Sequence, residues 1–460
     1  MGEIAGLVGV LLLIAGSAVL ALRFTRRRGP APPGNPQPTS ERQTVAPIEI
    51  GTDLPTFNII ALGGQETGKT VLLASMFHRL TTEVNEGVFR LETSLDQAVH
   101  LTNLYRRLRD PDAEWPPGTS LGETRSFTFT CIGSAGGTEF PVLRFNYLDY
   151  AGELVGGGPT SEAALEQQEE RQRDLEQRIE VAHALFGIID GQRMLAGLRG
   201  DPKGLLYLET SIIPMIGLLR RAKCPVHFVL TKWDLFDGTL DLGGAAGSDE
   251  PMDENDRLVV VRDELMSQPA IRNLVEQRRR EKRIVRLVPV SAIGRQFATM
   301  DAEGHMLKRR NGRLRPVNIE IPLCAVLPDL FTQIEEQLQA ADEEKLLAAR
   351  RDRARLTALE AVSAVGKLLA RPAGSALRIA ADVAIGRNAF NDRLADMFID
   401  WAGHRFDDKM GRVNAVVDDA KQQLNELGLI RNAVLREFSE RMIVLKRQLP
   451  ASDLADRSSR

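Results

Sequence analysis

Four short groups of residues in this sequence have the types and spacing to do chemistry. The first is Gly63-Gly64-Gln65-Glu66-Thr67-Gly68-Lys69-Thr70, of the form G-x-x-x-x-G-K-[ST]. It lies between an apolar run, Ile59 to Leu62, and a helical stretch whose apolar residues Val71, Leu72, Ala74 and Met76 can face a sheet. Strand, glycine-bounded loop and helix in that order make a phosphate cradle, because backbone N–H groups and the positive helix end face one concavity. Lys69 adds a point charge for the outer phosphates, and the Thr70 hydroxyl can ligate Mg2+. The second group is Asp149-Tyr150-Ala151-Gly152-Glu153, directly after the strand-like run Val142 to Leu148. A carboxylate there can hold Mg2+ through a water, and the Gly152 N–H can meet a terminal phosphate with no side chain in the way. A helix N-cap is the plainer role for Asp149. The third is Thr231-Lys232-Trp233-Asp234 after the apolar Val226 to Leu230, and the fourth is Ser291-Ala292 after Arg283 to Val290. Asp234 can accept two hydrogen bonds from the N1–H and 2-amino groups of guanine. Adenine lacks that pair, and a buried carboxylate left unpaired is costly, so ATP would be rejected. The Lys232 stem can lie on the base while Thr231 braces the loop. A surface turn is the plainer reading of that third group.

The elements that must position these groups can be read in outline. Apolar strand-like runs alternate with helical stretches, which implies a doubly wound α/β sheet with ligands at the carboxyl ends of its strands. Ser126 to Ile132 and Val142 to Leu148 form a plausible hairpin across Gly133 to Phe140. Ser94 to Arg109, Glu162 to Glu180, Ser211 to Arg221 and Arg257 to Glu281 are expected to be helical, and Ala184 to Ile189 is a buried strand ending at Asp190-Gly191. Asp110 to Ser120 is rich in Pro and Gly and is a loop. Ile293 to Pro316 is basic and irregular.

Loop, D-x-x-G, [NT]-K-x-D and S-A in that order resemble the signature of Ras-like P-loop GTPases of the translation-factor-related (TRAFAC) class. The resemblance covers roughly Phe57 to Leu338. It implies GTP and Mg2+ as ligands, with Gly63 to Thr70, Gly152, Thr231, Lys232, Asp234, Ser291 and Ala292 around the nucleotide and Thr70 and Asp149 on the metal. It also implies that the Ala292 N–H meets guanine O6. Lys69, Glu153 and Thr119 would carry catalysis. Glu153 stands where many relatives have a water-orienting Gln, and a carboxylate there can act as a base but repels the terminal phosphate. Thr119 is the first candidate for the phosphate-sensing threonine and Thr124 the second. Glu66 and Tyr150 add charge and bulk near the phosphates. The Trp-Pro-Pro-Gly-Thr loop and Asp-Tyr-Ala-Gly-Glu are similar to a bacterial group called double-GTPase proteins, although one GTPase domain is visible here.

The rest of the chain sets the context. At 460 residues it is too long for one ordinary domain. Cys131, Cys224 and Cys324 form no C-x-x-C pair, which argues against a zinc site or a disulfide framework. A net charge of −3 gives no global case for nucleic-acid binding, and none is expected. Ile4 to Leu22 is uncharged and apolar with Arg23, Arg26, Arg27 and Arg28 after it, the pattern of a single transmembrane helix whose following chain is cytoplasmic. That pattern implies an inner-membrane protein. The expected organisation is an anchor over 1–28, a Pro-rich linker over 29–52, a GTPase domain over 53–338, a helical region over 339–448 and a disordered tail over 449–460. In the helical region Val413, Val417, Ala420, Leu424 and Leu427, then Ile430, Val434, Phe438 and Met442, make an amphipathic helix that needs a partner face, in a bundle or from another subunit.

Two readings follow. One is a membrane-anchored GTPase switch of slow intrinsic rate, served by a protein partner or activator. The other is a pseudo-GTPase scaffold that binds GTP without useful turnover and assembles partners through its helices.

Overall fold

The apolar runs that end at the candidate loops become the parallel part of a seven-stranded sheet. A computed structural model describes residues 54–82, 88–116, 124–135, 138–150, 162–237, 252–301, 305–337, 394, 397–398, 401 and 422–455. In chain order the elements begin with β1 (Thr56–Leu62), α1 (Lys69–Thr82), β2 (Phe89–Glu92), α2 (Leu95–Arg109), β3 (Arg125–Ala135) and β4 (Thr138–Asp149). Next come α3 (Glu162–Glu180), β5 (Ala184–Ile189), α4 (Gly191–Leu198), α5 (Pro202–Tyr207), α6 (Ile213–Leu219) and β6 (Val226–Leu230). They are followed by α7 (Glu254–Ser267), α8 (Pro269–Arg280), β7 (Val285–Pro289), a small hairpin of β8 (Ala298–Met300) and β9 (Met306–Lys308), α9 (Ile321–Cys324) and α10 (Gln422–Gln448). The sheet order is β2-β3-β4-β1-β5-β6-β7.

Every residue of β5, β6 and β7 is buried. Near-continuous apolar runs of this kind are what a parallel sheet covered on both faces demands. The expected doubly wound α/β sheet is corrected to a mixed seven-stranded one, in which the expected hairpin is the antiparallel pair β3–β4. β4, β1, β5, β6 and β7 run parallel, whereas β2 and β3 are antiparallel to their neighbours. Only two residues separate β3 from β4, and a parallel return needs a crossover of a dozen or more. β2, Phe89-Arg90-Leu91-Glu92, is a four-residue edge strand too short to stand out as a periodic pattern.

The described fold holds no transmembrane helix, so the expected spanning segment is not part of the described architecture. Among the described residues no helix is long and apolar enough to cross a membrane, and Ile4 to Leu22 and the linker over 29–52 lie outside the described residues. The expected single helix over Arg257 to Glu281 divides into α7 and α8 where Pro269 takes the first turn of the second.

The amphipathic C-terminal helix finds its partner face on the sheet, not in a separate bundle. Ile430, Val434, Phe438, Met442 and Leu445 of α10 are buried in the same core as β1, β3 and β4. Phe438 meets Phe89 of β2 edge-on with ring centroids 4.8 Å apart. A Cβ at Gly133 of β3 would come within 2.3 Å of Ile430 Cγ2, so only glycine lets the helix lie this close. Full burial of each large side chain is worth roughly 1.5–3 kcal/mol, enough for one stripe to dock the helix. Beyond α10 the chain closes the exposed edge of β7, where Leu454 N–H donates to Val285 O at 3.2 Å.

Candidate functional site

The strand register brings the candidate loops to one end of the sheet. Ala61 of β1 pairs with Asp149 of β4, and Leu62 with Gly187 of β5. Ile189 pairs with Leu230 of β6, which pairs in turn with Pro289 of β7. The loops that follow β1, β4, β6 and β7 therefore start from neighbouring strand ends, the position at which open α/β sheets present ligands.

The loop Gly63 to Thr70 turns from β1 into α1 through two residues with positive φ, Glu66 at 61° and Gly68 at 87°. Glycine takes that backbone at no steric cost, whereas Glu66 is strained there. Lys69, 7% exposed, donates from Nζ to Gly63 O and Gly64 O, both at 2.8 Å. Burial lowers the pKa of Lys69, and the charge of Asp149 raises it. The ammonium thus lies over its own loop, with a buried carboxylate near enough to act on it. Asp149 is 2% exposed. Tyr150 is buried and donates its hydroxyl to Arg171 O on α3 at 3.0 Å, so its bulk is packed against that helix.

Among the described residues no cluster of three or more His, Cys, Asp or Glu side chains could hold a metal. Thr70 and Asp149 offer one hydroxyl and one carboxylate, hard oxygen donors. Such a pair fits Mg2+, which keeps several waters and shares its remaining positions with substrate phosphates.

The loops after β6 and β7 are tied to each other and to the Gly63–Thr70 turn. Thr231 Oγ1 donates to Thr67 O at 2.7 Å, with Ile189 O 3.1 Å away. Trp233 N–H donates to Val290 O at 3.1 Å. Ser291 Oγ donates to Asp234 Oδ1 at 2.5 Å and accepts from Gly294 N–H at 2.7 Å. Ser75 of α1 donates to Ala292 O at 3.2 Å. Burial pushes the Asp234 carboxyl above its usual range, and the Ser291 hydrogen bond opposes that rise. Lys232, at φ 55°, places Nζ 3.0 Å from Asp190 Oδ2. The arrangement can hold a phosphorylated ligand at one end and offer a fixed carboxylate at the other.

No protein-family model matches the chain, and no curated protein matches it.

Two contributors escape the sequence patterns. Asp190, 1% exposed, caps α4 by accepting from Gln192 N–H at 2.9 Å, besides anchoring Lys232. Arg193, three residues on, donates to Gln65 O at 3.2 Å and to Glu66 Oε2 at 2.9 Å. It therefore offsets the carboxylate that Glu66 adds to the loop. Their signal was the Asp-Gly step ending β5, at the same sheet end as the other loops. Gly152, Glu153 and Thr119 lie outside the described residues, and Thr124 is exposed just before β3.

The Thr231 hydrogen bond yields a direct test. Thr231→Val keeps the shape but leaves the Thr67 carbonyl without its hydroxyl donor. The unfolding free energy from urea titration is expected to fall by about 1–2 kcal/mol, the cost of stranding a buried acceptor. An unchanged midpoint would mean the brace is idle.

Proposed function

We propose that the chain is a GTP-binding protein of the P-loop GTPase class, hydrolysing GTP to GDP and phosphate with Mg2+ as a molecular switch. One observation carries the reading. The Asp234 carboxylate is fixed by Ser291 at 2.5 Å, in a loop whose Thr231 is hydrogen-bonded into the Gly63–Thr70 turn. Base recognition and phosphate binding would then report to one another through a single side chain.

In this reading the backbone N–H groups of Gly63 to Thr70 and the α1 N-terminus receive the phosphates, and Lys69 leaves its carbonyls for the phosphate oxygens. Thr70 and Asp149 would hold Mg2+, which would supply positive charge against the phosphates. Asp234 selects guanine, Ser291 and Ala292 line the base, and Lys232, held at Asp190, lays its stem along it. Hydrolysis itself rests on the sequence, through Glu153 and Thr119.

Calorimetry with the purified chain and Mg2+ tests the binding half. GTP is expected to bind at least a hundredfold tighter than ATP, since a site built to hydrogen-bond one base rejects another by roughly 10⁴ or more. Equal affinities would sink the guanine assignment. Multiple-turnover phosphate release tests the catalytic half, because Lys69→Ala should abolish it. Matching rates in wild type and Lys69→Ala would remove hydrolysis from the function.

A further inference from the structure

We propose that the chain has a second anion site, built to take a small molecule bearing two or more phosphate groups. It is a cavity of about 430 Å3 between the C-terminal end of α2 and the segment after β9. Arg109 and Tyr105 of α2 form one wall, and Arg309, Arg310, Arg313 and Leu314 form the other. No Asp or Glu lines it.

The walls are held by bonds that leave these arginines uncommitted. Lys308 Nζ donates to Arg107 O, Asp110 O and Ala113 O at 2.7, 2.9 and 2.8 Å, pinning β9 to the end of α2. Arg309 N–H donates to Phe297 O at 2.9 Å, and Gly312 N–H closes a turn on Arg309 O at 2.9 Å. Below lies a small apolar cluster of Leu108, Ile293 and Phe297, against which Tyr105 and Leu314 pack. Neighbouring cations are already engaged: Arg107 pairs with Glu114 at 3.5 Å, and Arg295 pairs with Asp237. Among the described residues Arg109, Arg309, Arg310 and Arg313 have no ion-pair partner.

Four arginines line this one cavity with no acidic side chain among them, so its charge favours an anion. Their planar forks match phosphate oxygens two at a time. The volume falls within the range of small-molecule sites, roughly 300–1,000 Å3. Nucleic acid would instead need a positive track along its backbone, which a discrete cavity in a chain of net charge −3 does not offer.

The test is calorimetry of the full chain with inorganic tripolyphosphate in the absence of Mg2+. A site separate from Gly63–Thr70 predicts that Lys69→Ala retains the affinity of this binding. The double variant Arg309→Ala/Arg313→Ala should weaken it at least tenfold, and Arg109→Ala, on the opposite wall, several-fold. Lysine at 309 and 313 should recover only part, because an ammonium cannot pair two oxygens as a fork does. All four arginines are exposed, so the variants should keep the wild-type melting temperature. Any of four results would overturn the proposal: the double variant binding as wild type does, tripolyphosphate binding lost in Lys69→Ala, monophosphate binding as well as tripolyphosphate, or a single-stranded 20-nucleotide RNA binding more tightly than tripolyphosphate.

Discussion

Asp234→Asn is expected to weaken GTP binding roughly a hundredfold and to turn the preference toward xanthosine triphosphate. The direction follows from the hydrogen positions around Ser291. Its Oγ accepts from Gly294 N–H at 2.7 Å, so the hydroxyl proton is left to point at residue 234, 2.5 Å away. An asparagine there must give its carbonyl to that proton, which turns Nδ2 toward the ligand. An NH2 group facing the guanine N1–H and 2-amino groups sets donor against donor, whereas xanthine presents a carbonyl at that edge. Loss of charge-assisted hydrogen bonds at about 1.5–3 kcal/mol each accounts for the hundredfold. The wild type adds a pH signature. Burial raises the Asp234 carboxyl, so acidification should protonate it earlier than an ordinary carboxylate and GTP affinity should fall, while the asparagine variant stays flat over that window. Competition binding with GTP and XTP between neutral and mildly acid pH reads both effects. Unchanged GTP affinity in the variant would show that Asp234 does not contact the base.

How much of this was legible in the sequence depended on the range of the interaction. The loop at Gly63 and the groups at Asp149, Thr231 and Ser291 follow continuous apolar runs, and a strand buried on both faces leaves that signature locally. Their convergence could be inferred because parallel strands share one carboxyl end. The bond from Ser291 to Asp234 spans 57 residues and has no local trace. Arg193 is similar: nothing in its neighbourhood announces that it reaches Glu66, 127 positions away. The edge strand β2 leaves no periodic trace because it is only four residues long, whereas the β3–β4 hairpin is legible from its two strand-like runs. The stripe on α10 showed that a partner face was needed, but periodicity says nothing of which one. Gly133, the glycine that admits the helix, looked like an ordinary turn residue.

The largest stability effect is expected at Asp329, which packs against the amino-terminal halves of β6 and β7. Asp329, 2% exposed, accepts from Arg286 Nε and, at 2.5 Å, from Arg286 Nη2, and lies 3.0 Å from His227 Nε2. His227 and Arg286 are paired neighbours on β6 and β7, the strands that lead into Thr231–Asp234 and Ser291–Ala292. Burial alone would raise the Asp329 carboxyl, but the Arg286 charge and hydrogen bonds, with the His227 ring close by, hold it well below the usual range. A carboxyl depressed in the folded state contributes stability that is complete above its unfolded value, about 3.9, and is lost as pH falls below that toward the folded value. Asp329→Asn strands a guanidinium only 1% exposed, left with Asp453 at 3.5 Å. The expected cost at neutral pH is about 3–5 kcal/mol, the usual penalty for breaking a buried pair from one side. Below about pH 4 the wild type should lose much of its advantage, so that the two urea-unfolding curves converge. Removing both charges separates a pair from a general packing defect. Arg286→Met/Asp329→Leu should cost less than Asp329→Asn alone, because no buried charge is left without its counterion. If the double variant is as unstable as the sum of its singles, shape and not charge holds β6 to β7. If it recovers stability and Asp329→Asn also weakens GTP binding, the network fixes the strand ends from which Asp234 and Ser291 are set.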